Sequence, residues 1–352
     1  MGRTVRRRDL LAAGALGALL PGAAWPQARR EIVDSAGRKV TVPARVERIY
    51  AAGPPASILV FAIAPDKLIG WTTPWREAEK PFVAKKYAEL PALGRLTGRG
   101  NTANVEIVLG AKPDVILDYG TVNATYSSLA DRLQEQTGMP YLLIDGDFDR
   151  MVDAIRVIGQ IAQEEKRAAA LARYAQDTIA DIERRVAKIP AGQRPRVYYA
   201  RGPQGLNTGL AGSINVESME QLGAINVAAE LGKGGLVQVS MEQVLKWNPD
   251  VIITIDSNFY AAARTSPVWR DLAAIKAGKI FLSPAVPFGW IDFPPSINRL
   301  IGLRWLARVL YPKAFPEDLR PIVRDFYTRC YHQTPAEAQL DELLRTALPA
   351  GA

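Results

Sequence analysis

Residues 104–118 read NVEIVLGAKPDVILD, and residues 240–255 read SMEQVLKWNPDVIITI. Aligned without a gap, the two share Glu, Val-Leu and Pro-Asp-Val-Ile. Glu106 falls on Glu242, Pro113 on Pro249 and Asp114 on Asp250, at a constant offset of 136 residues. Each copy opens with a helix-capping residue, Asn104 or Ser240, and places a carboxylate two positions later, where the helix dipole favours it. Each then runs about two turns, stops at a proline that cannot continue a helix, and enters an Ile/Val-rich run bounded like a buried strand. That is half of a βαβ unit, used twice. The spacing is far too long for a solenoid repeat and fits a duplicated lobe.

The flanks repeat as well. RIYAAGP (residues 48–54) precedes the first copy and RVYYARGP (196–203) the second, each a short strand ending in a Gly-Pro turn. Downstream, residues 126–145 and 266–283 each read as a helix followed by a short hydrophobic strand. Every lobe therefore runs strand, helix, strand, helix, strand, which predicts a parallel sheet with helices on both faces. Between the copies, residues 148–189 are helical throughout with a break near 159–164. In the second part Leu171, Ala175, Ile179, Ile182, Val186 and Ile189 form one apolar stripe. A single long helix between two lobes is a rigid strut, unlike paired flexible crossovers. The expected layout is a leader at 1–28, an N-terminal α/β lobe at 29–147, linking helices at 148–190 and a C-terminal α/β lobe at 191–348. Its terminal helices are expected to pack on the second lobe.

At 352 residues the chain is long enough for two domains with ample cores. Only one cysteine, Cys330, and one histidine, His332, are present. Internal disulfides and multi-His metal centres are thereby excluded, and either Ser-His-Asp or Cys-His catalysis would need His332 as its base. No Gly-x-Ser-x-Gly elbow occurs either, so no catalytic residue, resident metal or cofactor is expected. The net charge is +8, of which the four arginines and one aspartate of residues 1–28 account for +3, leaving +5. No lysine/arginine run accompanies that surplus, so nucleic acid is not an expected partner.

Residues 1–28 read as an export signal. Arg6-Arg7-Arg8 gives a charged start, and LLAAGALGALL (10–20) is an apolar run too short to span a bilayer. Gly22, Ala24 and Ala28 offer small residues for cleavage. Arg7-Arg8-Asp9-Leu10-Leu11 resembles a twin-arginine signal with Leu10 at the commoner Phe position. No cysteine follows the run, so the leader offers no lipidation site. EIVDSAGRKVTVP (31–43) reads as a hairpin, a strand is expected at 49–52 and another at 68–71, and residues 94–104 form a basic glycine loop carrying Arg95 and Arg99.

The leader, the hairpin DSAGRKVTVP, the strand and turn RIYAAGPPASI, the doubled E-x-V-L-x-x-x-P-D-V-I and the strut resemble the periplasmic binding proteins of ABC importers for iron-siderophores, haem and cobalamin. The likeness spans nearly the whole chain from about Glu31. The segment from Gln238 (QVSMEQVLKWNPDVI) through WLARVLYP (305–312) is also similar to a molybdate- and tungstate-binding branch of that family. The resemblance implies two Rossmann-like α/β lobes with parallel sheets joined by a single long helix, a monomer that grips cargo between its lobes. It also implies delivery to a permease dimer with its ATPase subunits. In the resembled family one glutamate per lobe pairs with arginines on the two permease subunits, which assigns docking to Glu106 and Glu242.

In open α/β sheets ligands sit outside the carboxyl ends of the strands. Those ends hold Pro55, Trp71, Trp75, Tyr119 and, from the glycine loop, Arg99 in the first lobe. In the second they hold Arg201, Asn258, Tyr260 and Trp290. Aromatic rings cover the organic part of a chelate, and guanidinium groups pair with an anionic oxygen surface. An iron(III)-siderophore or similar metal chelate is thus the leading expectation, with molybdate or tungstate, haem or cobalamin as alternatives.

Overall fold

The computed structural model describes Met1 and residues 28–98, 105–345 and 347–348. Residues 2–27 of the leader and residues 99–104 of the glycine loop, Arg99 and Asn104 among them, lie outside the described residues. The first element is the expected hairpin, β1 (Arg29–Val33) against β2 (Lys39–Pro43). Asp34 makes its turn: Oδ1 accepts from the Ala36 and Arg38 amides, Gly37 adopts φ +76°, and Oδ2 accepts from the Leu143 amide at 3.2 Å. The last bond fastens the hairpin to the first sheet.

That sheet is parallel, in the order β3 (Ile49–Ala51), β4 (Val115–Gly120), β5 (Tyr141–Asp145). Its helices are α1 (Pro54–Ile63), the single turn α2 (Lys85–Ala88), α3 (Val105–Ala111) and α4 (Ala124–Thr137). Residues 68–71, expected as a strand, make only isolated bridges, Ile49 to Leu68 and Trp71 to Ala92. Gly70 explains this, because residues 91–93 press so closely that an added Cβ would lie 2.6 Å from Pro91 O and Leu93. Two helices follow, α5 (Met151–Ala162) and the 22-residue strut α6 (Glu165–Val186), broken at Gln163, whose φ is +58°.

The second sheet is also parallel, with strand order β11-β10-β6-β8. In chain order the elements of this lobe are β6 (Arg196–Ala200), β7 (Asn207–Gly209) of a separate ribbon, α7 (Glu217–Glu220), β8 (Ile225–Asn226), β9 (Leu236–Gln238) of that ribbon, α8 (Met241–Trp247), β10 (Val251–Thr254), α9 (Ser257–Ala263), α10 (Ala273–Lys276) and β11 (Ile280–Leu282). The strand β7 pairs antiparallel with β9. Three helices close the chain: α11 (Arg299–Leu310), α12 (Leu319–Tyr331) and α13 (Glu337–Leu344). None of the described helices is long and apolar enough to cross a membrane.

The repeat holds in structure: α3 and α8 share both boundaries at the 136-residue offset, and β4 and β10 begin at equivalent residues, β10 ending two residues sooner. Each copy carries the same clamp. Arg48 donates to the last carbonyls of α3, Ala111 O at 2.7 Å and Lys112 O at 3.0 Å, and Arg196 donates to Trp247 O at 2.7 Å and Asn248 O. Those carbonyls have no partner within their own helix, so the guanidinium caps them and meets the negative end of the dipole. Lys112 and Asn248 take the left-handed turn, with φ +47° and +41°. Asp114 Oδ2 then accepts from the Glu47 and Arg48 amides, and Asp250 Oδ2 from the Arg196 amide at 2.8 Å. The Pro-Asp of each copy is therefore a latch between helix, turn and the preceding strand. Ser240 caps α8 as expected, its Oγ accepting from Gln243 N at 3.1 Å.

The terminal helices depart from expectation. They do not pack on the second lobe alone, because α12 lies against α1 of the first lobe as well as α11. Arg167 on α6 donates to Ala62 O and Arg329 O, and His332 just beyond α12 sits 2.9 Å from Phe61 O. One apolar core consequently runs from Phe61 and Ile63 through Ile155, Leu171 and Ile182 to Leu300, Phe326 and Tyr331.

Candidate functional site: the inter-lobe cavity

A cavity of about 290 Å³ opens between the carboxyl ends of the two sheets, lined from the first lobe by Pro54, Pro55, Arg95, Thr97, Asp118, Tyr119 and Tyr126, and from the second by Arg201, Asn215, Asp292, Phe293, Pro294 and Pro295. The position follows from the topology: β4 delivers Asp118 and Tyr119, β6 delivers Arg201, and the segment after β11 returns with residues 292–295. Three residues singled out from the sequence, Pro55, Tyr119 and Arg201, line this cavity.

The others lie elsewhere. Trp71 is buried with its Nε1 donating to Tyr87 O, and it meets Phe61 and Trp75 edge to face. Trp75 packs edge-on against Trp71 and beside Phe288. Trp290 has 0% exposure and donates to Tyr327 OH at 3.0 Å. None of the three tryptophans reaches the cavity lining, so the aromatic cleft expected from them is instead an aromatic core. Asn258 is exposed on α9, and Tyr260 on the same helix packs on the core of the second lobe with Arg264 over its ring; neither lines the cavity. Arg99 lies outside the described residues. Glu106 and Glu242 are exposed on α3 and α8, at equivalent places in the two copies.

Sequence reasoning missed Arg95, Asp118 and Phe293. Asp118 carried a usable signal, a charged residue closing an apolar strand run next to Tyr-Gly. The two carboxylates of the cavity have opposite surroundings. Asp292, 1% exposed, accepts from Tyr199 OH and Asn215 Nδ2, both at 2.8 Å, and from the Phe293 amide, and its Oδ2 lies 3.0 Å from Arg201 Nε. Burial works against the Arg201 charge, but Asp292 and Tyr199 outweigh it and raise its pKa. Asp118, 7% exposed, has neutral side-chain partners among the described residues, Thr97 Oγ1 at 3.1 Å and Tyr141 OH at 3.2 Å. Burial pushes its pKa up to about 6, although both hydroxyls and the Tyr119 amide oppose the rise.

Phe293 stands at the mouth, 73% exposed, with a left-handed φ of +63° that a bulky residue rarely adopts. Behind the cavity the lobes are pinned. Arg299 is fully buried and donates to Glu217 Oε2 at 2.7 Å, to Gly146 O at 2.6 Å and to Tyr119 OH at 3.3 Å. Ser296 Oγ donates to Pro55 O at 2.8 Å. Among the described residues no cluster of three His, Cys, Asp or Glu side chains is placed to hold a metal ion.

Comparison with known proteins agrees with this architecture. Residues 59–287 match the family model described as periplasmic binding protein. The chain is 29% identical to the molybdate-binding protein MolA of Haemophilus influenzae, over 86% of this chain and 91% of that one. Among solved structures, an ABC transporter solute binding protein from Sulfurospirillum deleyianum superposes with a TM-score of 0.82 at 31% identity, covering 90% of this chain and 99% of that one. The molybdate-bound structure of MolA gives 0.71 at 27% identity, covering 87% and 99%. With two parallel-sheet lobes joined by one long helix and the family model matched across both, this chain belongs to the periplasmic binding proteins, as a solute-binding component of an ABC importer and not an enzyme.

Proposed function

We propose that the cargo is a small oxyanion of the molybdate and tungstate type, held in the inter-lobe cavity and handed to the permease. The observation that carries this is the pairing of Arg95 from one lobe with Arg201 from the other on a cavity of about 290 Å³. That volume lies at the low end of small-molecule sites, and its walls lack the tryptophans a large chelate would use. The relative MolA, named for molybdate, supports the same choice. A compact metal chelate, such as an iron(III)-siderophore, is the second reading, favoured by the apolar rim of Pro54, Pro294, Pro295 and Phe293. Haem and cobalamin are bulkier still and fit this cavity less well.

Calorimetric titration of the mature protein with molybdate, tungstate, sulfate, a ferric hydroxamate, haem and cobalamin separates these readings. Saturable binding of molybdate and tungstate, with little of the rest, is the expected result; binding of the ferric chelate alone overturns it. The proposal includes a monomer in the periplasm with lobes at 29–147 and 191–348 bridged by 148–190. It also includes removal of the leader after Ala24 or Ala28, export by the twin-arginine route, and docking through Glu106 and Glu242. Replacement of Arg7 and Arg8 together by Lys is expected to stop export, and normal export of that variant would remove the route.

A further inference from the structure

We propose that Asp118 binds the cargo in its protonated form, so that loading an anion takes up one proton from solvent. This rests on the oxyanion reading above and goes beyond it, since it assigns the cavity a proton as a second ligand.

The cavity poses a contradiction that a proton on Asp118 resolves. It contains two arginines and two carboxylates, and the compensation is unequal. Asp292 lies against Arg201 and accepts three further hydrogen bonds. Among the described residues no ion pair reaches Asp118, which faces the Thr97 hydroxyl from one side and the Tyr141 hydroxyl from the other. An anion entering beside an ionised, buried Asp118 would meet a like charge in a poorly solvated site.

Protonation converts that obstacle into a donor, and donors are scarce here. Helix α1 points its first turn at the cavity, but Pro54 and Pro55 lack the amide hydrogens with which a helix start usually meets an anion. Pro294 and Pro295 contribute none on the opposite wall, and the Thr97 hydroxyl is already committed to Asp118. Each carboxyl oxygen of Asp118 accepts one hydroxyl, which leaves a position for a proton that can be donated to an oxyanion. The remaining titratable or charged groups facing the site are Tyr50 and Tyr141 on the sheet, Tyr119 and Tyr126 beside the cavity, and Arg95, Arg201 and Asp292 across it. The tyrosines on the sheet stay protonated, burial holding their pKa above the ordinary value. Burial thus moves the Asp118 carboxyl towards neutrality. Its pKa, already raised to about 6 by burial without cargo, rises further when an anion enters.

Calorimetry of the full mature protein with molybdate, in two buffers of different ionisation enthalpy at pH 7.5, measures the proton directly. Uptake of close to one proton is expected, with affinity falling about tenfold per unit between pH 7 and 8. Asp118→Asn keeps a neutral donor of the same shape; it is expected to bind without proton uptake and with an affinity flat across that range. Molybdate binding without proton uptake in the wild type, or uptake unchanged in Asp118→Asn, overturns the proposal while leaving the oxyanion reading intact. If molybdate does not bind at all, the oxyanion reading fails. The carboxyl resonance of Asp118 in the ligand-free protein then decides whether its proton is held near pH 6; titration near 4 rejects it.

Discussion

Arg201 lines the cavity with its Nε 3.0 Å from Asp292 Oδ2, so its charge is positioned as well as present. Arg201→Lys keeps a cation for Asp292 but loses the planar fork, and on the proposed reading it lowers molybdate affinity about tenfold, or roughly 1.4 kcal/mol. Unchanged affinity by calorimetry removes Arg201 from the site. Trp290 tests the opposite assignment. Its indole fills the core against Tyr327, so Trp290→Ala is expected to cost about 3–5 kcal/mol in urea unfolding. The remaining folded molecules bind as wild type; selective loss of binding would return Trp290 to the cavity. His332 gives a pH signature. Burial first, and Arg167 second, lower its pKa to about 4, so the folded protein holds it neutral while the unfolded chain protonates near 6.5. That contribution is complete above pH 6.5 and is lost as pH falls towards 4. His332→Gln is expected to flatten this part of the stability profile, and an unaltered acid limb contradicts it. The sequence could not separate these residues by role. A tryptophan at the end of a strand reads the same whether it turns inward, as Trp71 does onto Phe61, or outward, and only the partner decides.

At the level of elements the repeat was legible because every local signal agreed, from cap to apolar stripe to proline stop to buried strand. What stayed hidden is long-range. The arginine before each strand clamps a helix end 63 positions away in the first lobe and 51 in the second, and nothing local announces the pairing. The same limit explains α12. Its amphipathic pattern specifies that one stripe is buried, but not that α1 of the other lobe covers part of it. The latch itself is testable. Asp250→Ala leaves the Arg196 amide without its acceptor and is expected to cost about 1–3 kcal/mol in urea unfolding, with Asp114→Ala costing a similar amount in the first lobe. Variants as stable as wild type would mean that water replaces the carboxylate without loss.

Across the whole molecule, the strut α6, the bridging helix α12 and the buried Arg299 bonds to Gly146 and Tyr119 hold the lobes at one angle. Cargo is therefore expected to change the overall shape little, which gives the permease a different task from sensing a wide closure. On the proposed docking it recognises a fixed pair of marks, which the duplicated helices would supply. Glu106 and Glu242 sit at equivalent positions on α3 and α8, both exposed, one on each lobe. Two separated carboxylates meeting a two-fold partner set register and orientation together, and charge complementarity acts on encounter as well as affinity. A purely local role is the competing account, since a carboxylate in the first turn of a helix is worth only about 0.3–1 kcal/mol. The two accounts separate in a reconstituted transporter. Glu106→Ala/Glu242→Ala is expected to bind cargo with wild-type affinity and to melt within a few degrees of wild type, yet to leave the ATPase of its importer unstimulated and uptake abolished. Each single variant is expected to retain part of the stimulation, because one anchor still holds one lobe. Normal uptake by the double variant would reduce both glutamates to helix-start carboxylates and move the docking surface elsewhere on the lobes.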